Sequence, residues 1–124
     1  MPTNVELKIS SPEGETTLAD FYRQNGWWGQ GSIVDKYQRF VQESPDQVIL
    51  SDDRGRQHTN AELWAEATRK CQDLRQRGIV AGDVVILILP NWVEWQVYHL
   101  AIRLLRAIPA NIPLKTDARM LSHV

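Results

Sequence analysis

The chain has 124 residues, the length of one domain or of a piece of a larger one. Hydrophobic residues make up 43% and charged residues 23%, a profile that excludes a disordered chain. With 14 Lys and Arg against 15 Asp and Glu, the formal net charge is −1; this removes a strongly basic nucleic-acid face and an anionic membrane surface as default partners.

The first 16 residues mix polar side chains with Pro12 and Gly14, and residues 5–9 alternate weakly enough to predict a short edge strand or an ordered arm. No apolar run suited to a signal peptide opens the chain, and residues 84–90 form an apolar stretch far too short to span a bilayer. Cys71 is the single cysteine, so no internal disulfide can form, and a soluble, reducing, cytoplasmic setting is expected.

Thr17 is placed to cap a brief helix over residues 18–24, and Asn25-Gly26 ends it because both tolerate positive φ. Trp27-Trp28 follow in a loop, where they read as anchors for an N-terminal arm. A helix opening at Gly31 or Ser32 carries Val34, Tyr37, Phe40 and Val41 on one face. Ser44-Pro45-Asp46 stops it, since proline pushes the preceding residue out of the helical region. Residues 47–50 predict a strand, residues 52–55 a turn and residues 56–58 the return strand of a hairpin.

Thr59-Asn60-Ala61-Glu62 is a capping box for a helix reaching about Arg77, with Leu63, Ala67, Cys71 and Leu74 as its apolar stripe and Gly78 as its left-handed cap. On that stripe Cys71 reads as a small buried hydrophobe rather than a nucleophile. Residues 83–89 form a near-continuous apolar run, the pattern of a strand buried on both faces of a parallel sheet. Asn91, with Glu94 three residues on, is expected to cap a largely buried helix over residues 92–106. His99 falls mid-helix beside apolar neighbours and reads as a core or boundary histidine. Residues 108–114 predict a further strand; Pro109 and Pro113 confine it to an edge, an end or a bulge. Thr116-Asp117 can cap a last helix near Ala118.

The fold class expected is α/β: a partial doubly wound, layered sheet with flanking helices, cut at its C-terminal end. Residues 1–32 read as an N-terminal arm with a short helix and tryptophan anchors, and residues 33–124 as the α/β body. No phosphate-cradling glycine motif, no metal-spaced Cys/His pair and no strand-to-helix serine elbow is present. Catalytic residues and metal ligands are therefore expected to be none.

Five motifs nevertheless stand in order. Ser44-Pro45-Asp46-Gln47-Val48-Ile49-Leu50 resembles the "hPD-x-hAh" opening of the adenylate-forming ligases: acyl-CoA synthetases, aryl-acid–AMP ligases and nonribosomal adenylation domains. His58-Thr59-Asn60-Ala61-Glu62-Leu63 is similar to their first core motif, L-[T/S]-Y-x-E-L. Gly78-Ile79-Val80-Ala81-Gly82-Asp83-Val84-Val85 resembles the "GV-x-x-GD-x-V" link, and Leu89-Pro90-Asn91 with Glu94 resembles "LPN-x-x-E". Ala107-Ile108-Pro109-Ala110-Asn111-Ile112-Pro113-Leu114 is similar to the second core motif. The leader Tyr22 to Trp28 resembles that of aryl-acid–AMP ligases and some acyl-CoA ligases. Three departures occur: Asn60 replaces the motif tyrosine, Arg106 stands where a glycine precedes Ala107-Ile108, and Pro113-Leu114-Lys115 is one residue short.

The resemblance implies the N-terminal part of an acyl- or aryl-CoA synthetase-like ligase, with a small-molecule carboxylate as substrate. Such an enzyme activates the acid with ATP as acyl-AMP and transfers it to CoA. ATP, Mg²⁺ and CoA are implied for the full-length parent; none is expected to bind this chain tightly, which is expected to be inactive alone and to self-associate. Lys115, with Arg119 a turn later, is the basic match for a side chain that meets the CoA phosphates. An aryl-acid–AMP ligase loading a carrier protein, or a short non-catalytic binding or regulatory paralogue, stays open beside it.

Overall fold

In the computed structural model, residues 7–12, 14–29 and 31–122 are described, and the chain divides into two compact units, Met1–Ser32 and Ile33–Val124. In the first unit, β1 (Lys8–Ser11) pairs antiparallel with β2 (Gly14–Thr17), which runs into α1 (Leu18–Gln24). The alternation at residues 5–9 thus marks one strand of a hairpin; Val5 and Glu6 lie outside the described residues, and β2 has no alternation that would announce it. The Thr17 hydroxyl accepts from the Asp20 amide at 3.1 Å, the expected cap. Trp27 and Trp28 pack on Phe21 and Tyr22 within this unit, with ring centroids 5.4–5.6 Å apart.

The second unit runs α2 (Ile33–Glu43), β3 (Val48–Ser51), β4 (Gln57–Thr59), α3 (Asn60–Gln76), β5 (Val84–Leu87), α4 (Val93–Leu104), β6 (Ile108–Asn111) and α5 (Ala118–Leu121). The strands β3 and β4 form an antiparallel hairpin, and β5 and β6 pair in parallel across α4. The parallel pair is the fragment of doubly wound architecture that the helix–strand alternation predicted.

Two apolar clusters hold α3 against α4. Leu63, Ala67, Val93, Val97 and Leu100 form one; Cys71, Leu87, Ala101, Ile102, Leu105 and Ala107 form the other. Ala67 and Ala101, both at 0% exposure, leave room for the helix backbones to approach. The α3 stripe thus sits where spacing of four residues places it, and burial pushes the Cys71 thiol pKa up, away from nucleophilic reactivity.

Four local expectations are corrected. The β5 run is buried on one face only: Leu87 is inside, while Val84 is 59% and Ile86 44% exposed beside Ile108 at 54%. Phe40, assigned to the inner face of α2, is 53% exposed, because α2 buries none of its residues fully. Strand β6 stops at Asn111, short of Pro113, since proline has no amide for the ladder. Asn91 does not cap α4; Trp92 occupies the cap position and gives no side-chain hydrogen bond there.

The family-like motifs become joints between elements. Asn60, 5% exposed, donates from Nδ2 to the Ser44 carbonyl at 2.9 Å, and its amide donates to Gln47 at 3.0 Å. The residue replacing the motif tyrosine thereby ties the end of α2 to the start of α3. The capping box is complete: Glu62 N–H donates to Thr59 Oγ1 at 3.2 Å, and Thr59 N–H donates to Glu62 Oε2 at 2.8 Å. Asp83 Oδ2 accepts from the Val80 amide at 2.9 Å, tightening the link into β5.

Three helices end in the same way. After α1, α3 and α4, the residues Gly26, Gly78 and Arg106 take φ of 70°, 94° and 59°. In each, two amides fold back: Gly26 to Arg23 and Trp27 to Tyr22; Gly78 to Arg75 and Ile79 to Leu74; Arg106 to Arg103 and Ala107 to Ile102. This is the Schellman motif, which glycine suits because it has no Cβ. Arg106 is the one non-glycine residue with positive φ among those described.

Candidate functional site

Open parallel sheets bind ligands beyond the carboxyl ends of their strands. There, past β5 and β6, a cleft of about 360 Å³ opens, lined by Leu89, Pro90, Asn91, Trp95, Asn111, Ile112, Pro113 and Leu114. The Ile112 amide donates to the Leu87 carbonyl at 2.9 Å and extends the parallel ladder to the cleft floor. A second hollow of about 240 Å³ adjoins it through Asn91 and Trp95 and adds Ser51, Trp92 and Gln96. The lining is apolar, aromatic and amide. It can bind a flat, partly polar molecule but supplies no nucleophile or acid–base pair.

A charged clasp fixes the rim. Asp52, in the β3–β4 turn, has a side chain 1% exposed. Its Oδ1 accepts from the amides of Arg54 and Arg56 at 3.0 Å each, and its Oδ2 accepts from Arg56 Nε at 2.9 Å. Arg56 then reaches Glu94 in the first turn of α4 through two bonds, Nη1 to Oε1 and Nη2 to Oε2, the latter at 2.6 Å. This two-pronged geometry suits the planar guanidinium. The Arg54 guanidinium lies 4.6 Å from the Trp92 ring centroid, a cation–π contact.

Electrostatics follows the geometry. Burial alone pushes the Asp52 carboxyl up, but hydrogen bonds from Arg56, Arg54 and the Val93 amide outweigh it and hold the pKa below the ordinary range. Arg56 holds the Glu94 carboxyl at about 2, and Glu94, with Asp52, raises the Arg56 guanidinium pKa further. The Val93 amide belongs to the first turn of α4, so Asp52 supplies from the hairpin the acceptor that Asn91 was expected to give. Glu94 is held by Arg56 and also accepts from its own backbone amide.

Lys115 is exposed on the turn after β6, one residue past Leu114 at the cleft rim, and Arg119 is exposed on α5; neither lines the cleft. His58 pairs with Glu66 (Nε2 to Oε1, 3.0 Å), and His99 stacks on Trp95 at 4.8 Å. His123 lies outside the described residues. Among the described residues no group of three His, Cys, Asp or Glu side chains could hold a metal. No helix is long and apolar enough to cross a membrane, again among the described residues. Sequence reasoning missed the clasp: the charges at Asp52, Arg56 and Glu94 were visible, but their convergence from separate elements was not.

Comparison with known proteins places this geometry. The profile of the family described as AMP-binding enzyme matches residues 37–124. The medium-chain fatty-acid–CoA ligase of Escherichia coli (strain K12) is 32% identical over 93 residues, 75% of this chain and 16% of the relative. Pyochelin synthase PchD of Pseudomonas aeruginosa is 27% identical over 115 residues, 89% of this chain and 21% of the relative. The apo structure of Mycobacterium smegmatis MbtA superposes with a TM-score of 0.77 at 27% identity, over 85% of this chain and 20% of that one. The chain thus spans about a fifth of the length of these relatives. With a family profile covering most of its length and an α/β architecture shared with MbtA, the chain belongs to the AMP-binding, adenylate-forming enzymes.

Proposed function

We propose that residues 33–124 form the N-terminal α/β portion of an acyl- or aryl-CoA synthetase-like ligase, with residues 1–32 as its leading arm. The full reaction joins a carboxylic acid to ATP as acyl-AMP, releasing pyrophosphate, and passes the acyl group from the adenylate to the CoA thiol, releasing AMP. The observation carrying this reading is the 32% identity to a fatty-acid–CoA ligase over 93 residues. The residues here do not fit ATP or Mg²⁺: the sequence has no phosphate loop, and among the described residues no carboxylate cluster suits a metal. Adenylation chemistry is therefore assigned to residues beyond this chain. Its own part is to set the cleft and its rim. Lys115 is proposed to meet CoA phosphates from the turn after β6.

Aryl-acid activation with transfer to a carrier protein is the second reading. It is favoured by the longer matches to PchD and MbtA, 89% and 85% of this chain against 75%.

Carboxylate-dependent ATP–pyrophosphate exchange, run over aryl and aliphatic acids, tests the assignment. The 124-residue chain is expected to stay at the no-protein background. Exchange by this chain alone, surviving repurification, would overturn it. Intact mass of the native protein decides whether the chain continues. In a longer enzyme, AMP release that needs CoA supports the first reading, and release that needs a carrier protein supports the second.

A further inference from the structure

Between α2 and α4 lies a groove of about 230 Å³, lined by Ile33, Tyr37, Gln96, His99, Leu100 and Arg103. Its hydrogen bonds leave several donors of the lining unused. Gln96 Nε2 donates to the Tyr37 hydroxyl at 2.9 Å, which uses that oxygen as an acceptor and leaves its proton to give. Arg103 Nε donates to His99 Nδ1 at 3.4 Å. That bond requires a lone pair on Nδ1, so the neutral ring carries its proton on Nε2. Burial, with Arg103 nearby, lowers the His99 pKa and keeps the ring neutral.

Arg103 retains the four N–H donors of its two terminal nitrogens and, among the described residues, forms no ion pair. Ile33 and Leu100 supply the apolar lining, and Trp95 stacks on His99 and fixes its ring. One positive charge, two neutral donors and a hydrocarbon wall match an anion of one charge with an apolar body. A phosphate, with no hydrocarbon part and nearly two charges, matches less well.

We propose that the α2–α4 groove binds a small organic monocarboxylate, held by Arg103 with Tyr37 and His99 as further donors. This site is separate from the β5–β6 cleft and holds whichever acyl acceptor the longer protein uses.

The test is titration of the chain with sodium benzoate and, in parallel, with inorganic phosphate, read by the NMR shifts of the His99 and Tyr37 rings, which line the groove and not the β5–β6 cleft. Benzoate is expected to give saturable shifts at both residues. Arg103→Met should raise the Kd by about tenfold or more, and Tyr37→Phe by roughly threefold, in line with a charged and a neutral hydrogen bond. Far-ultraviolet circular dichroism checks each fold. If Arg103→Met does not fold, Tyr37→Phe and His99→Gln carry the decision. Linear, unsaturated shifts overturn the site. So do variants that fold and bind as wild type, and so does tighter binding of phosphate than of benzoate.

Discussion

Replacing Arg106 by glycine is expected to make the chain more stable, although it deletes a charged side chain. Arg106 holds φ at 59° in the left-handed region after α4. That conformation costs an L-residue roughly 1–2 kcal/mol. Glycine escapes the strain but loses about 0.5–1 kcal/mol through the larger freedom of its unfolded chain. Losing a cation at a helix C-terminus removes about 0.3 kcal/mol more. The exposed Arg106 side chain makes no hydrogen bond or ion pair among the described residues, so the balance favours glycine by about 0.5 kcal/mol. The melting temperature should rise by about 2 °C at this chain length.

Arg106→Ala keeps the strain and loses the charge, so it should melt at or slightly below wild type. Gly78→Ala is the mirror case. A Cβ at Gly78 would meet no atom within 4 Å, so only its φ of 94° opposes the change, and a loss of about 1 kcal/mol is expected. Thermal and urea unfolding of the four proteins, checked for two-state behaviour, measures the order. An Arg106→Gly protein less stable than wild type, or an Arg106→Ala protein as stable as Arg106→Gly, would refute the strain argument.

Thr59→Ala should cost about 1 kcal/mol, within the usual range of roughly 0.5–2 for a lost cap. In a longer active enzyme it should leave the KM for ATP and carboxylate nearly unchanged; a normal melt with kcat/KM down more than about tenfold would give Thr59 a substrate role instead. Acid should weaken the clasp. The Glu94 pKa falls from an ordinary 4.5 to about 2, and Asp52 and Glu62 are also lowered. A depressed carboxylate pKa adds stability above its unfolded value, and that stability is lost as pH falls from about 4.5 towards 2. Glu94→Gln should flatten this part of the melting-temperature profile; an unchanged slope would show that the pair contributes nothing.

The helices were legible because their signals are local. Thr17, Thr59 with Glu62, Gly26 and Gly78 each act within a few residues of themselves, and each stands where the sequence places it. The α3 stripe of Leu63, Ala67 and Cys71 likewise follows from a period of 3.6. What failed depends on distant parts of the chain. The run at residues 83–89 records apolarity but not what covers each face, so the exposure of Val84 and Ile86 could not be read from it. Asn91 reads as a cap from its residue type and from Glu94 three residues on; the acceptor comes instead from Asp52. The cleft was illegible for a similar reason, since Asn91, Trp95, Asn111 and Leu114 meet only once β5, α4 and β6 are assembled. The left-handed Arg106 is an intermediate case: the sequence departure at that position was visible, and its backbone consequence was not.

The two packed helices differ in what each needs in order to begin. Helix α3 finds partners for both ends in its own neighbourhood, from Thr59 and Glu62 to Gly78 and Ile79. Helix α4 finishes locally, at Arg106 and Ala107, but its first turn leans on Arg56, 38 residues upstream, and on Asp52. An order of assembly follows. The α3 turn sequence and the β3–β4 hairpin are expected to form early, and the first turn of α4 to be completed when it docks on that hairpin. Substitutions at Thr59 should therefore slow folding, whereas substitutions at Glu94 should chiefly hasten unfolding.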